Sequence, residues 1–575
     1  RWPTMDALLG ALAPRGKRRL PWAAAAVAVV GAAAWWLSPD ACVRPPAEIW
    51  APARDAAAEQ FRDATPAYIG ATWPAVSAAL DMYETRWRDQ SLAACQTSGA
   101  RSEVERARAT DCLDHRKAEL AHLVGGLARG AAPALATALS AASSLPAADV
   151  CNSDASLSTW QVIDDPRERA QRDEARAWLR EARDALALGK TVRGVGDVSA
   201  QVERGIEAGR RAQQRAADLG DRATESHARF LLAQLHLIAG DVTAAEAEAH
   251  GAATTAERGG DARARIRALS FQAYVVGQNR DRLGEARQLA AQAMAALDAG
   301  GGDDLLRAQL LNNLANVAAR ARPPQFEAAL ADHREALALL TDAAGLDHPE
   351  TISAQLNLGA TLNRAGQAQE ALEQLEAAAT RAETLWGREH PRYAKASRIL
   401  GLAQLRAGRL DAAYQRLSHA LAVHERVYGA THPEVANDLY NVALVERRRS
   451  RHAEAIALLR RGIEIREAHA GSKHPELIPW LVLEGRSALD LAHDADARDV
   501  LDRALRLCEL DGAQPLEFAK IRALLARATV RVDAPRAAAL AQQARDAYVR
   551  AGDYPEQVAK LDALIADAGR VRASP

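Results

Sequence analysis

The sequence predicts an all-α fold in which helical hairpins stack into a solenoid. The chain is 49% hydrophobic but only 4% aromatic, and long stretches consist of strong helix formers such as Ala, Leu, Glu and Arg. A histidine-proline pair also recurs at a fixed spacing of 42 residues, at 348, 390, 432 and 474. A period of this length indicates a structural repeat, whose units bury their apolar faces by stacking on their neighbours.

The charge balance argues against nucleic acid as a partner. The 73 basic and 74 acidic residues give a formal charge of −1. Neutralising phosphates requires a concentrated basic face, and the sequence beyond residue 42 has no long block of one sign.

The N-terminal segment predicts one membrane span. RGKRR at 15–19 is followed by the uncharged run from Leu20 to Leu37, whose helical length of about 27 Å suffices to cross a hydrocarbon core. The basic flank predicts a cytoplasmic N-terminus and an extracytoplasmic segment 38–575. A cleaved signal peptide is the alternative, against which the bulky Trp35 and Trp36 count.

Four of the five cysteines lie in the segment from Cys42 to Cys151, for which we predict helices near 46–64, 68–94, 102–128 and 130–144. An oxidising compartment would make these cysteines a disulfide framework. Of the three possible pairings, a capping box at Ser102 that starts the helix with Cys112 favours Cys95 with Cys112, and Cys42 with Cys151. The alternatives are reduced thiols or metal ligation, and no CxxC or HxxxH spacing supports the latter.

Small residues and leucines recur at matching positions of the 42-residue units. The columns are Gly359, Gly401, Ala443 and Gly485; Ala371, Ala413, Ala455 and Ala497; and Leu375, Leu417, Leu459 and Leu501. Small residues let the two helices of a hairpin approach closely, and leucine fills the groove between them.

The His-Pro pairs mark helix starts in this interpretation. Proline at the first helical position fixes φ without losing a needed hydrogen bond. The glycine three residues before each later histidine, at 387, 429 and 471, ends the previous helix. Histidines in stacked units lie on the order of 10 Å apart, too far to share a metal ion.

These columns, with the loops LWGREHP and VYGATHPEVA, resemble tetratricopeptide repeats of the 42-residue kind found in kinesin light chains. The resemblance is strong from 348 to 511 and weaker upstream, where 312–337 fits with an insertion and 170–218 predicts a further helical pair. We therefore predict an array over 160–575, closed by a hairpin at 516–550 and a capping helix at 554–568.

A second resemblance concerns the first residues. RWPTMDALLGAL is similar to the closing helix of a bacterial Ser/Thr protein kinase domain, and the segment that follows resembles transmembrane kinases with C-terminal tetratricopeptide arrays. It implies that 1–19 ends a kinase-like domain with its juxtamembrane segment, followed by a span at 20–37, a cysteine module at 42–151 and the array. DFG, HRD and glycine-rich-loop motifs are absent, so we expect no catalytic, metal or cofactor site in this chain, and a kinase domain upstream of residue 1.

The resemblance also implies a ligand surface on the concave side of the array. Asparagine there can hold a peptide backbone and arginine a carboxylate, which predicts peptide contacts from Asn313, Asn357, Asn441, Arg364, Arg406 and Arg448. The alternative is that these arginines complement helix dipoles. The expected function is a protein- or peptide-binding sensor or scaffold of a membrane-anchored kinase; the alternative is a stand-alone membrane-anchored assembly factor.

Overall fold

The computed structural model describes residues 46–573, apart from 65–67, 98, 100, 131, 144, 154–156, 158–159, 192–195, 278–281, 300–302, 322, 512–514 and 553. The described residues form 24 α-helices and no strand. The prediction of an all-α solenoid is thus confirmed.

The first five helices form an N-terminal module, which we define as residues 46–152. They are α1 Arg54–Asp63, α2 Tyr68–Ala71, α3 Trp73–Gln96, α4 Glu103–Ala128 and α5 Ala132–Ser143. Two short 3-10 turns, Ala51–Ala53 and Asp149–Asn152, accompany them. The capping box predicted at Ser102 is present, since the Ser102 hydroxyl accepts from the Glu105 backbone N–H while the Glu105 carboxylate accepts from the Ser102 backbone N–H.

The remaining helices form nine consecutive hairpins and a final helix. They are α6 Pro166–Thr191, α7 Gly196–Asp218, α8 Arg222–Ile238, α9 Val242–Arg258, α10 Ala262–Gly277, α11 Leu283–Ala299, α12 Asp304–Arg320, α13 Phe326–Ala344, α14 Pro349–Arg364, α15 Ala368–Trp386, α16 Pro391–Arg406, α17 Leu410–Tyr428, α18 Pro433–Arg448, α19 His452–Ala470, α20 Ile478–Asp490, α21 Asp494–Asp511, α22 Pro515–Thr529, α23 Ala534–Ala551 and α24 Pro555–Ala573. Each helix packs mainly against its sequence neighbours, as expected of a solenoid.

The hairpins close at the small-residue columns. A Cβ atom added to Gly359 would lie 2.5 Å from Cγ of Leu375, and one added to Gly485 would lie 2.6 Å from Cγ of Leu501. Such distances are shorter than real Cβ contacts, so only glycine permits this helix approach without displacing the leucine. The leucines fill the crossing and are buried.

The four repeated histidines cap the helices that follow them. Nδ1 of each accepts a hydrogen bond from the backbone N–H two residues later, at 3.3 Å for His348, 3.0 Å for His390, 3.0 Å for His432 and 3.3 Å for His474. An N-cap side chain satisfies a backbone donor that the helix itself leaves unpaired. The histidines thus mark helix starts, as predicted, and do so through a side-chain hydrogen bond that the sequence analysis did not foresee.

The cysteine pairing differs from the predicted one. Cys112 on α4 forms a disulfide with Cys151, so the predicted pairs of Cys95 with Cys112 and Cys42 with Cys151 are wrong. The turn Asp149–Asn152 packs against α4 and brings the two Cα atoms to 5.6 Å, inside the usual range for a disulfide. Cys42 lies outside the described residues, and Cys508 is buried in the array as a thiol.

The predicted localisation requires a correction. Throughout the described ranges, no helix combines the length and apolar composition needed to cross a bilayer. This finding contradicts a single-pass protein with residues 38–575 extracytoplasmic. Long helices such as α6, with the sequence PRERAQRDEARAWLREARDALALGKT, carry charges throughout. The expected span at 20–37 lies outside the described residues.

The histidine caps predict a pH-dependent stability. Burial lowers the pKa of His432 from 6.5 to about 4 and outweighs the opposing effect of the Glu434 carboxylate, with smaller contributions from His424 and His469 in the same direction as burial. Unfolding between these pH values therefore takes up a proton, so stability falls as the pH is lowered through this range. We expect His432→Asn, which keeps a capping acceptor, to lose part of the fall in Tm between pH 7 and pH 5.

The control for this experiment is His250→Asn. His250 is exposed on α9 and caps no helix. Its substitution should leave the pH dependence of Tm as in the parent protein. Identical pH profiles for His432→Asn and the parent would contradict the assigned cap.

Candidate protein-binding surface

Two of the three asparagines that were predicted to contact a peptide form hydrogen bonds between repeat units. The Asn313 amide donates to Oγ of Ser270 at 3.1 Å, and the Asn357 amide donates to Oδ1 of Asn312 at 3.1 Å. Each bond joins the first helix of one hairpin to the first helix of the preceding hairpin. Both side chains are half-buried, so their amides contribute to stacking.

Two of the predicted arginines also bond to the preceding unit. The guanidinium of Arg364 donates to the carbonyl oxygen of Ala319 at 2.7 Å, and that of Arg406 donates to the carbonyl oxygen of Asn363 at 2.7 Å. These carbonyls belong to the last turns of α12 and α14, where intrahelical donors run out. The arginines therefore complement a helix C-terminus, as in the alternative interpretation, but that helix belongs to the preceding hairpin.

Asn441 and Arg448 lie on α18. Asn441 is half-buried, while Arg448 is exposed and has no ion pair with any residue that the structure describes. The six predicted residues are thus spread over α12 to α18 and do not converge at one place. Their role in peptide contact stays a prediction.

A surface that the sequence analysis missed lies on the first helices of the later hairpins. We call it the C-terminal arginine–aromatic surface and define it as Tyr440, Arg448, Arg486, Phe518 and Arg522. Tyr440 and Phe518 lie at the rim of one apolar cluster, whose buried part includes Trp480. The rings of Tyr440 and Trp480 are 4.9 Å apart, and the Arg522 guanidinium lies 4.9 Å from the centroid of the Phe518 ring.

Arg486 stands near the middle of this surface. It is exposed, and among the described residues no carboxylate lies within ion-pair distance of it. Burial raises the pKa values of the Tyr440 and Tyr548 hydroxyls, and the Arg486 charge opposes the shift at both. Arg486 was missed because Asp490 occupies the position 42 residues after Arg448, so no column of equal residues pointed to it.

A buried polar network on α16 to α18 resembles a catalytic arrangement but is enclosed. Nδ1 of His424 lies 2.5 Å from Oδ2 of Asp438, and the Arg398 guanidinium lies 3.5 Å from Oδ1 of Asp438. The carboxylates of Asp438 and Glu434 outweigh the effect of burial and raise the pKa of Arg398. His424 and Asp438 are nearly inaccessible to solvent, so the network joins helices and does not reach a substrate.

Comparison with known protein families supports the assignment of tetratricopeptide repeats in the central part of the chain. The tetratricopeptide repeat family matches residues 324–384 and 392–468, which cover α13 to α15 and α16 to α19. No curated protein is similar enough to match the chain. Tetratricopeptide solenoids are suited to binding proteins or peptides, because stacked hairpins present an extended surface.

Several solved structures are similar to parts of this chain. The TPR-like repeats attributed to a kinesin light chain of Podosopora anserina are 20% identical, with 36% of this chain and 98% of that chain covered and a TM-score of 0.32. BtubC from P. vanneervenii is 20% identical over 44% of this chain and 94% of its own, with a TM-score of 0.33. The quorum sensor NprR from B. thuringiensis is 16% identical over 66% of this chain and 98% of its own, with a TM-score of 0.45.

The hydrogen bonds of the arginine column predict unequal effects on stability. Arg406→Ala removes the donor to the Asn363 carbonyl and should destabilise the protein by about 0.5–1.5 kcal/mol. Arg448→Ala removes an exposed side chain at the matching position and should change stability by less than about 0.5 kcal/mol. Urea denaturation of both variants compares them directly. Equal destabilisation by the two substitutions would contradict the structural use of Arg406.

Proposed function

We propose that the array binds a protein partner through a peptide segment, and that the C-terminal arginine–aromatic surface makes the contact. The observation that carries the proposal is Arg486, an exposed cation beside Tyr440 at the edge of an apolar cluster. A bound partner that covers this guanidinium removes its hydration, which is costly unless another group pairs with the charge. An acidic group of the partner would form that pair.

The chemistry of the surface favours a peptide in which acidic residues flank a large apolar side chain. Arg448, Arg486 and Arg522 provide three guanidinium groups with no carboxylate partner among the described residues. Guanidinium groups bind carboxylates through paired hydrogen bonds. The half-exposed rings of Tyr440 and Phe518 supply flat apolar area at low cost in side-chain entropy.

The test compares two variants of equal charge. Arg448→Gln, Arg486→Gln and Arg522→Gln together remove the cations of the surface. Arg86→Gln, Arg258→Gln and Arg506→Gln together remove three exposed arginines that lie on α3, α9 and α21. Fluorescence anisotropy measures the binding of a labelled pool of short peptides with Asp and Glu around Leu or Trp, and of a matched pool with Lys in place of Asp and Glu.

The parent protein should bind the acidic pool in preference to the lysine pool. The surface variant should lose affinity by at least about tenfold, since one hydrogen bond to a charged group contributes about 1.5–3 kcal/mol, while its Tm stays unchanged. The control variant should bind as the parent does. Equal losses in both variants, or no preference of the parent for the acidic pool, would refute the proposed surface.

The proposal also includes a Ser/Thr kinase domain upstream of residue 1. It rests on the resemblance of RWPTMDALLGAL to the closing helix of a kinase domain. Phosphoryl transfer needs a base, metal-binding carboxylates and a phosphate-covering loop, and none of the corresponding motifs is recognisable in the sequence. We expect the isolated chain to transfer no labelled phosphate from ATP to itself or to a general substrate. Measurable transfer by the isolated chain would contradict this part.

A further inference from the structure

One of the four loops that contain a His-Pro pair departs from the other three. The second residue after the histidine is Arg392 in this loop, whereas the others have glutamate, at 350, 434 and 476. The residue before the loop glycine is Trp386, whereas the others have Ala344, Tyr428 and Ala470. Residues that depart from a repeat are not required by the stacking that all units share.

The departing residues contact the N-terminal module. The Arg392 guanidinium donates to Oγ of Ser140 on α5 at 3.2 Å, a contact between residues 252 positions apart. The same guanidinium lies 5.3 Å from the centroid of the Trp386 ring, within the range of a cation–π interaction. Trp386 is buried. The two exceptional residues thus form one contact with a different part of the chain.

The backbone of this loop also approaches the module closely. A Cβ atom added to Gly387 would lie 3.3 Å from Cβ of Ala71 on α2. The equivalent glycines 345, 429 and 471 have nothing within 4 Å of such an atom. All four have positive φ angles, between 78° and 90°, so they differ in their neighbours and hardly in conformation.

The apolar core continues across this contact. A single cluster contains Trp50, Phe61, Leu120 and Leu139 of the module together with Ile352, Trp386, Tyr393 and Leu400 of the array. Burial of apolar side chains is the main favourable contribution to such an interface. The module and helices α14 to α16 therefore share a core.

The module also contacts the first hairpin of the array. The Asp111 carboxylate lies 2.5 Å from the Arg172 guanidinium, and His122 Nε2 lies 2.8 Å from Asp184 Oδ2. The Glu119 carboxylate, which is buried, pairs with Arg183 and lies 3.7 Å from Arg180. The module consequently contacts hairpin one, through α6, and the loop that joins hairpins five and six.

We propose that residues 386–392 form an acceptor site for the protein's own N-terminal module, and that the docked module acts as a clasp on the array. In a solenoid each hairpin contacts only its neighbours, and the overall curvature is the sum of small rotations. A bridge from hairpin one to hairpin six adds a long-range constraint on that curvature. Trp386 and Arg392 distinguish this loop from the three equivalent ones.

Undocking leaves every contact between neighbouring hairpins in place, so the array opens without unfolding. The inference does not depend on the C-terminal arginine–aromatic surface, which lies on α18, α20 and α22. Peptide binding at that surface and docking at 386–392 can therefore fail separately.

Hydrogen-exchange mass spectrometry of the full chain tests the clasp with two matched pairs of variants. Arg392→Glu reverses the charge that faces Ser140, and Arg388→Glu makes the same change at an exposed arginine of the same loop. Gly387→Leu places a side chain against Ala71, and Gly429→Leu adds the same side chain at a glycine of similar φ with open space around it.

We expect Arg392→Glu and Gly387→Leu to speed exchange in α5 and in residues 386–400 by about tenfold or more, because the contact that protects these amides is lost. Exchange in α20 to α23 should not change, and the radius of gyration from small-angle scattering should increase. The two control variants should behave as the parent protein.

Parent-like exchange in both docking variants, or equal acceleration in docking and control variants, would overturn the proposal. A rescue variant guards against general misfolding. Ser140→Arg combined with Arg392→Glu restores a polar pair in reversed order and should return exchange in α5 towards the parent rate. Exchange in the double variant as fast as in Arg392→Glu alone would show that the pair does not hold the module.

Discussion

The close crossing of two helices at a glycine is the constraint on which the rest of the array depends. At Gly359, Gly401 and Gly485 the side chain of a leucine from the second helix occupies the space that a Cβ atom would need. This crossing fixes the distance within a hairpin, and the hairpin then presents an apolar face that only another hairpin can cover. Ala443, which is fully buried, takes the equivalent position in the one of the four 42-residue units that lacks this glycine.

The parts of the structure that repeat could be predicted from the sequence, because a period reports local packing. Helix positions, the small-residue columns and the helix starts at the His-Pro pairs follow from contacts within about one unit. The partner of Cys112 could not be predicted, since it depends on how the turn Asp149–Asn152 packs on α4. The hydrogen bond from Arg406 to the Asn363 carbonyl could not be predicted either, because it depends on how far adjacent units are displaced relative to each other.

Repeated and exceptional residues have different uses in this molecule. Arg364 and Arg406 recur in one column and bond to the preceding unit, so their repetition reflects stacking. Arg486 and Arg392 interrupt the pattern: Arg392 contacts the N-terminal module, and Arg486 belongs to the surface that we propose for a ligand. In a chain built from near-copies, a departure from the repeat is thus a better guide to a specific contact than the repeat itself.

The central claim is that the N-terminal module packs on the loop between hairpins five and six. An engineered disulfide tests this contact most directly. Ala71→Cys with Gly387→Cys places two sulfurs on positions whose Cβ atoms would be 3.3 Å apart, close to the separation of about 3.5–4.5 Å found in disulfides. We predict that mild oxidation links residues 71 and 387 within one molecule, as shown by non-reducing peptide mapping. Failure of this cross-link to form, or its formation to the same extent between Ala71→Cys and Gly429→Cys, would contradict the account.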